Sequence, residues 1–298
     1  MGVTGQARLL VGQPVRAPLP YGLFSVAQEP PDTDVHSRGG VRFEVEYCGP
    51  AGITTETCPA TGFGPTKSPT DPTSERASNP FTTYTMPVCA PVGMYDQYDA
   101  MTRRILEWGD ERAVEAEFWT GAAGTMPHLA ENVAVTGMGF DAQVIEQTAA
   151  TVVTGGPVDV VEGLALLEEV LGSCYGGQGV IHVPRSVLVH LDTYSLVRDV
   201  GGRLATRNGN LVAAGAGYPG TAPDSSAPPS GVRWVYATGA VFMRRSPIEL
   251  TSTTGEGVNR QINNVYLVAE RTYVIGWDCC HLAIPIKIGG VEAGVAGV

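Results

Sequence analysis

The chain of 298 residues is poor in charge and nearly free of lysine. Charged residues make up 16% of the sequence, and Lys67 and Lys287 are its two lysines. Acidic residues outnumber basic ones by 30 to 19, which gives a formal net charge of −11. Tight binding of nucleic acid requires many Lys and Arg side chains to neutralise phosphates. The composition therefore excludes a protein that holds nucleic acid in a basic groove.

Long apolar runs are absent as well. No stretch approaches the length of a membrane span, and residues 1–22 lack the apolar core of a signal peptide. The sequence thus predicts a soluble product made in a cytoplasm. Its six cysteines, in a chain of this length without a secretion signal, are not expected to form a disulfide framework.

Recognisable catalytic motifs are missing too. The sequence has no phosphate-binding loop of the Walker type, no G-x-S-x-G elbow and no H-E-x-x-H zinc motif. Gly215, Gly217 and Gly220 form a loose glycine motif, but it lies in a proline-rich loop without the strand and helix of a dinucleotide-binding fold. We therefore expect no catalytic residues, no cofactor and no metal.

The most metal-like cluster is the run Asp278, Cys279, Cys280 and His281. Neighbouring side chains on a strand point to opposite faces, so both cysteines cannot hold one ion without a bulge. Buried free cysteines are the favoured interpretation. A soluble α+β hydrolase or metal enzyme that uses Asp278, Cys280 and His281 stays open as an alternative.

The remaining cysteines and histidines give weaker signals. Cys48, Cys58 and Cys89 lie on or near two candidate strands and could meet across them, but they lack the paired spacing of a zinc site. Cys174 is expected in the core, and His182, between apolar neighbours, favours a satisfied sheet residue. No catalytic triad can be derived from histidines as scattered as His36, His128, His182, His190 and His281.

The longest helical pattern runs from Gly93 to Gly121. Large or apolar residues recur at near-helical spacing at Met94, Tyr98, Met101, Ile105, Trp108, Arg112, Ala116 and Trp119. The pattern predicts a rod of about 40 Å. Because tryptophans and charges occur on most of its faces, we expect it to contact several neighbours. Gly109 is interpreted as a bend or a point of close approach, since glycine costs about 1 kcal/mol in an isolated helix.

Two strand-like segments flank a long irregular stretch. Val41–Cys48 alternates apolar and charged residues, and Phe81–Cys89 is a second strand candidate. We predict that the two segments pair as a long two-stranded excursion. Since isolated ribbons of this kind are barely stable in water, the excursion should lie on its own domain or on a neighbouring subunit.

The rest of the chain mixes helices and strands without a βαβ repeat, which indicates an α+β fold. Residues 1–40 predict either an extended arm, with apolar surface at Pro20–Phe24 to pin it, or a frayed terminus. One helix is predicted from Val160 to Leu171, opened by Pro157 and ended by Gly172 or by the next glycine pair. A second helix is predicted over Pro184–Tyr194. The further predicted strands are short segments near 133–135 and 144–145, Gly179–Val183, Arg203–Thr206, Asn210–Ala213, Val232–Tyr236, Ala240–Arg244, Val265–Ile275 and Leu282–Ile288.

Four segments carry a resemblance to a known family. Glu107–Gly121 (EWGDERAVEAEFWTG) looks like the end of a long spine helix, and Val235–Leu250 looks like a returning strand of the ATGPV type. Asn263–Ile288 looks like closing strands with an AER motif and a cysteine pair, and Thr206–Gly220 is similar to an axial-domain hairpin. Together they resemble major capsid proteins of tailed bacteriophages with the Hong Kong 97-like fold, in particular those of phages of actinobacteria.

The resemblance implies an α+β capsid subunit in five parts. These are an N-terminal arm (1–40), an E-loop (41–92), a spine helix with the first part of the P-domain (93–150), an A-domain with connecting strands (151–262) and closing P-domain strands (263–298).

The implied function is structural, not enzymatic. Hexamers and pentamers would assemble in the host cytoplasm into an icosahedral head that encloses double-stranded DNA, with only weak, non-specific contact between DNA and the acidic chain. Scaffolding, portal and decoration proteins are the implied possible partners. An encapsulin-type compartment shell, which shares the fold, is the alternative.

Two features depart from the family. No long, charged helical segment precedes the arm, and the presence of Met1 favours a separate scaffolding protein over a processed chain. Some members join their subunits by Lys–Asn cross-links. Here Lys67 is the one plausible lysine, with Asn263 or Asn264 as its partner, so we do not expect cross-linking.

Overall fold

The computed structural model describes residues 16–30, 38–53, 73–89, 95–131, 135–136, 146–147, 149–252, 258–259 and 264–289. The helices in these ranges are α1 (Tyr95–Thr120), α2 (Val160–Cys174) and α3 (Arg185–Thr193). None of them has an apolar stretch of the length that a bilayer requires.

The strands of the described residues lie before, between and after these helices. They are β1 (Val41–Glu46), β2 (Thr73–Ser78), β3 (Phe81–Thr85), β4 (Val88–Cys89), β5 (Val135–Thr136), β6 (Glu146–Gln147), β7 (Thr151–Val152), β8 (Val158–Asp159), β9 (Val180–Pro184), β10 (Val197–Val200), β11 (Arg203–Thr206), β12 (Leu211–Gly215), β13 (Val232–Thr238), β14 (Val241–Arg245), β15 (Glu249–Ser252), β16 (Val258–Asn259), β17 (Asn264–Trp277) and β18 (His281–Lys287).

Helix α1 confirms the predicted rod. It has 26 residues, which at 1.5 Å per residue gives about 39 Å. Its end is set by Gly121, which adopts φ +61° and whose N–H bonds to the carbonyl of Glu117. Glycine takes this left-handed conformation at helix ends without the steric penalty that other residues meet.

Gly109 does not mark a close approach, contrary to the interpretation from the sequence. It is exposed, and a Cβ placed on it would meet no heavy atom within 4 Å. A bend at this position stays a prediction. The missing side chain therefore serves no packing role at this position, and the extra backbone freedom of glycine destabilises α1.

We expect Gly109→Ala to stabilise the folded chain by about 1 kcal/mol, because alanine restricts the unfolded backbone and meets no neighbour in α1. Urea unfolding of the purified full chain measures the change. Gly209→Ala is the matched control. Gly209 also has open space around it but adopts φ +102°, so alanine there should destabilise. A neutral or destabilising Gly109→Ala would contradict the account.

A six-stranded sheet is built around β17. This strand pairs with β14, β15 and β16, and also with β3 and β4, always antiparallel. A strand with partners on both edges can be apolar over most of its length, as the sequence of β17 is. The prediction that this segment is central in a sheet is confirmed.

An eight-stranded sheet has the order β10-β11-β12-β9-β13-β18-β7, with β8 also paired to β18. The pairs β12–β9 and β18–β7 are parallel, and the predicted β11–β12 hairpin is confirmed. One face packs against α2 and α3 in a core that includes Leu167, Leu171, Ile181, Val235 and Ile284. Burying side chains of this size stabilises by roughly 1.5–3 kcal/mol each.

Helix α1 lies between the two sheets. Its residues Val114, Phe118 and Trp119 are fully buried, and they share one core with Tyr273 and Trp277 of β17 and with Tyr236 of β13. The expectation that the rod contacts several neighbours is confirmed. One helix thereby fixes the relative position of both sheets.

The predicted bounds of α2 need correction. Pro157 is not its first residue, because β8 pairs with β18 before the helix starts, and Asp159 is its N-cap. Gly172 does not end it either, since the helix continues to Cys174. Of the ambiguous segments His128–Val135 and Asp141–Ala149, the first ends where β5 begins, at Val135, and the second contains β6, which pairs with β5. Val133, Val144 and Ile145 lie outside the described residues.

Candidate assembly surface

The extended hairpin, defined as β1, β2 and the chain between them, forms a sheet of its own. Strand β1 pairs antiparallel with β2 from Val41↔Ser78 to Glu46↔Thr73. This corrects the prediction that Phe81–Cys89 is its partner. Phe81–Thr85 instead pairs with β17 in the six-stranded sheet. The predicted two-stranded excursion exists, but it returns earlier along the chain.

Most of the described residues of this hairpin have no core beneath them. Only Val45 of β1 is buried, while Tyr47 is half exposed and Ile53 is 98% exposed. The Arg42–Glu75 ion pair across the two strands is solvated on both sides, and pairs of this kind contribute about 0–1 kcal/mol. A two-stranded ribbon with so little support is marginal in water. The hairpin therefore needs a surface that its own strands do not provide.

The root of the hairpin is attached to the body at two points. Phe43 packs edge-on against Phe242 of β14, with ring centroids 4.6 Å apart. Cys48, just beyond β1, forms a disulfide with Cys279. These two contacts hold the start of the hairpin against the body.

Further exposed apolar side chains lie at one edge of the eight-stranded sheet. Val189 and Tyr194 project from α3 and the turn after it, and Val200 projects from the edge strand β10. A sheet edge that carries exposed apolar side chains can pair with another chain. This edge and the hairpin are the two candidate assembly surfaces.

The described part of the N-terminal arm is attached to α1 by two carboxylates, one buried and one partly buried, in addition to the apolar attachment predicted for Pro20–Phe24. Glu115 Oε1 accepts a hydrogen bond from the N–H of Leu23 at 3.0 Å, and its Oε2 accepts one from Gly217 at 2.9 Å. Glu111 accepts from the N–H of Phe24 at 3.0 Å. Leu23 itself is fully buried. Charged side chains of the helix thus serve as acceptors for backbone groups of two other segments.

The pKa of Glu115 rises to about 7, chiefly because burial disfavours its charged form. A carboxyl whose folded pKa lies above its unfolded value of about 4.5 binds more protons when folded. Its contribution to stability is therefore greatest below pH 4.5 and is lost as the pH rises through 7.

We expect the free energy of unfolding of the wild type to fall by roughly 3 kcal/mol more than that of Glu115→Gln between pH 4.5 and 8. Urea unfolding of the full chain at a series of pH values measures both curves. Glu162→Gln, at an exposed position of α2, is the matched control and should parallel the wild type. If the free energy of unfolding of Glu115→Gln varied with pH in parallel with that of the wild type, the raised pKa of Glu115 would be contradicted.

A buried polar cluster joins α1 to the six-stranded sheet. Asp110 is 2% exposed and accepts hydrogen bonds from Thr83 Oγ1 at 2.5 Å, from Arg271 Nη1 at 3.2 Å and from the hydroxyl of Tyr273. Burial raises the pKa of Tyr273, with a further increase from Asp110. The tyrosine therefore stays a neutral donor. One carboxylate of the helix fixes strands β3 and β17 together.

The cluster from Asp278 to His281 does not form a metal site. Asp278 Oδ2 accepts from the hydroxyl of Tyr175 at 2.7 Å, and His281 Nε2 lies 2.9 Å from the carbonyl of Leu129. Cys280 forms a disulfide with Cys174. Across the described ranges, no three His, Cys, Asp or Glu residues are grouped as metal ligands. The metal-enzyme alternative therefore loses the three side chains on which it depended.

The interpretation of Cys279 and Cys280 as free cysteines is wrong, and so is the expectation that disulfides do not contribute to this fold. Cys279 and Cys280 diverge, as neighbours on an extended segment should, but each meets a partner that is distant in sequence. Cys174 is likewise in a bridge and not simply in the core. The predicted meeting of Cys48 with Cys58 or Cys89 is replaced by its bridge to Cys279, and Cys58 lies outside the described residues.

His182 is a satisfied sheet residue, as predicted. It is fully buried between the hydroxyl of Tyr218 at 3.2 Å and Thr238 Oγ1 at 3.1 Å. Burial lowers its pKa to about 3, so the ring stays neutral. His128 and His190 lie apart from it, and His36 lies outside the described residues.

The glycine-rich segment after β12 packs on α1. A Cβ on Gly217 would lie 2.1 Å from the carbonyl oxygen of Arg112, and Trp119 Nε1 donates to Thr221 Oγ1 at 2.9 Å. The absence of a side chain at Gly217 permits this close backbone packing. Of the cross-linking candidates, Lys67 and Asn263 lie outside the described residues, and Asn264 opens β17.

Solved capsid structures match the chain over nearly its whole length. A chain from the capsid of the native GTA particle has a TM-score of 0.54 at 13% identity and covers 96% of this chain and 95% of its own. The capsid of Ralstonia phage GP4 gives 0.53 at 7%, covering 98% and 97%, and the cyanophage Pam1 capsid gives 0.50 at 10%, covering 98% and 99%. No family model and no curated protein matches the chain. The likenesses show its fold, which is the predicted α+β capsid fold of the Hong Kong 97 type.

Proposed function

We propose that this chain is the structural subunit of an icosahedral phage head that encloses double-stranded DNA. The observation that carries the proposal is the extended hairpin, which has almost no core of its own in a chain with a capsid fold. A neighbouring copy provides the surface that it lacks. Copies meet again at the edge with Val189, Tyr194 and Val200, where hexamers and pentamers close around their centres.

The five-part division expected from the sequence belongs to this proposal. The arm at 1–40, the E-loop at 41–92 and the spine segment at 93–150 carry the contacts between subunits. The A-domain at 151–262 lies at the capsomer centres, and residues 263–298 close the P-domain. Assembly takes place in the host cytoplasm and the product is the virion, with separate scaffolding, portal and decoration proteins as possible partners.

The acidic composition supports a weak relation to the packaged DNA. A net charge of −11 with two lysines repels a polyanion, so the inner wall does not retain the genome by ionic contact. The subunit encloses DNA by forming a closed container.

A deletion of the hairpin tests the proposal. Because Val41 and Ser78 face each other across the β1–β2 pair, a linker of about three Gly or Ser residues can replace residues 42–77. Cys279→Ser is included to remove the thiol left without its partner, and Cys279→Ser alone is the matched control.

Negative-stain microscopy and sedimentation of both purified chains give the result. The control should form closed shells, whereas the deletion variant should fold but stay as small species. Shells formed by the deletion variant would overturn the role of the hairpin. A control that remains monomeric in all assembly conditions, while folded by circular dichroism, would overturn the proposed function.

A further inference from the structure

Two disulfides converge on adjacent cysteines. Cys279 bonds to Cys48 with a Cα–Cα distance of 6.3 Å, and Cys280 bonds to Cys174 with a distance of 6.0 Å. The two bridges span 231 and 106 residues of sequence. A single turn therefore receives covalent ties from two distant parts of the chain.

The position of this turn determines which parts of the fold the two disulfides connect. It connects β17 of the six-stranded sheet to β18 of the eight-stranded sheet. Cys48 lies just beyond β1 at the root of the extended hairpin, and Cys174 is the last residue of α2. The bridges thus join the hairpin and a helix to the point where both sheets meet.

Hydrogen bonds place the turn without help from the bridges. The N–H of Gly239 donates to the carbonyl of Cys279, and the N–H of Cys279 donates to Asp278 Oδ1, both at 2.7 Å. Tyr175 donates to Asp278 and accepts from the N–H of Ala240 at 3.2 Å. Both Cα–Cα distances lie within the range of about 4.4–6.8 Å that a disulfide requires. A reduced chain can therefore hold each thiol opposite its partner.

The four sulfurs differ in access. Cys279 and Cys280 are buried at 8% exposure each, whereas Cys48 and Cys174 are partly exposed. A dissolved oxidant therefore reaches Cys48 and Cys174 first. The buried cysteines are then in position to complete each bridge from inside the protein.

We propose that the adjacent cysteines form a redox lock, which closes after the shell has formed and fixes the extended hairpin and the end of α2 to the body. The statement that oxidation follows assembly rests on the proposed function. The effect of the disulfides on the hairpin and α2 does not, because it can be measured on the single chain. In the reduced chain, β1 has only β2 as a strand partner among the described residues, and its root is held to the body by non-covalent contacts such as the packing of Phe43 on Phe242. In the oxidised chain the root is fixed.

The chemistry balances with a small-molecule disulfide as the oxidant. The thiolate of Cys48 attacks one sulfur of the oxidant, forms a mixed disulfide and releases one thiolate. The thiolate of Cys279 then attacks Cys48 Sγ, and the second small thiolate leaves. Two protein thiols lose two electrons and two protons, and the oxidant is reduced to two thiols. Cys174 and Cys280 react in the same way.

Hydrogen exchange of the full chain tests the lock. The chain is purified in reductant, one half is treated with oxidised glutathione, and differential alkylation with mass spectrometry locates the bridges. We expect oxidation to slow the exchange of residues 41–48 and of the last turn of α2 by about tenfold. Cys48→Ser should remove the effect on 41–48 alone, and Cys174→Ser should remove the effect on α2 alone.

The timing is tested on particles isolated from cells lysed in N-ethylmaleimide. Fresh shells that are then denatured in N-ethylmaleimide, so that the buried Cys279 and Cys280 also react, should carry all four cysteines alkylated. Unblocked shells should form both bridges in oxidised glutathione and then dissociate at a higher urea concentration. Bridges already present in the blocked lysate, or bridges that leave exchange unchanged, would overturn the lock. If no particles form, the proposed function fails, and the exchange result still decides whether the bridges fix the hairpin.

Discussion

Asp110→Asn is expected to destabilise the folded chain by about 3–5 kcal/mol and to abolish particles. The substitution preserves the shape of the side chain but removes its charge. Arg271 then loses the counter-charge at 3.2 Å, at a position where its side chain is 17% exposed. The side-chain amide nitrogen of the new asparagine is itself a hydrogen-bond donor, and it would face a donor group where a carboxylate oxygen of Asp110 accepts a hydrogen bond. Removing one partner of a buried ion pair lowers the free energy of unfolding by about this amount, because the charge of the other partner, here Arg271, is left without compensation.

Urea unfolding of the full chain measures the loss, and microscopy measures assembly. Asp99→Asn is the matched control, since Asp99 lies on the same helix and is exposed, and it should change stability by less than about 0.5 kcal/mol. The double variant with Arg271→Met should recover part of the loss. A loss at Asp110 no larger than at Asp99 would show that the cluster does not join α1 to the sheet.

Gly217→Ala is the second substitution with a large expected effect. The new Cβ would lie 2.1 Å from the carbonyl oxygen of Arg112 and 2.8 Å from the amide nitrogen of Ala116. Both are backbone atoms of α1, so no side chain can move aside. The loop must lift from the helix, which breaks the hydrogen bond from the Gly217 N–H to Glu115 and opens the core around Trp119. We expect a loss of about 3 kcal/mol or more, which is in the range of severe overpacking.

Gly109→Ala is the matched control for this substitution, because it adds the same methyl group to α1 itself where space is open. The two variants should therefore change stability in opposite directions. Hydrogen exchange should also rise at residues 216–222 in Gly217→Ala and stay unchanged in Gly109→Ala. Similar stabilities for both variants would contradict the close packing of this loop on the helix.

Elements that follow one period over a long stretch could be predicted from the sequence. The helix at 95–120 has a repeating pattern of large residues, and β17 is apolar because both its edges are paired. Strand β2, with the sequence TSERAS, could not be predicted this way. It belongs to a ribbon with little buried surface, so its residues do not alternate between apolar and polar. The more apolar segment that contains Phe81–Thr85 therefore gives the stronger strand signal, and it leads to the wrong partner for β1.

Contacts between residues that are distant in sequence also could not be predicted. Nothing in the spacing of Cys48 and Cys279 indicates that they meet, and the lack of a secretion signal argued against any bridge. Asp110 and Glu115 are two of many charged residues in a long helix, and no pattern in the sequence marks them as buried. Their burial depends on the loops and strands that cover α1, and these are placed only by the complete fold.

Photo-crosslinking from Ile53 tests most directly whether copies of this chain complete one another. This residue lies in the extended hairpin and is 98% exposed in the single chain. A photoreactive amino acid is introduced there, and chains with light and heavy isotopes are mixed before assembly and irradiation. The account predicts a ladder of covalent multimers in which mass spectrometry finds light chains joined to heavy ones. Links confined to single chains would contradict it.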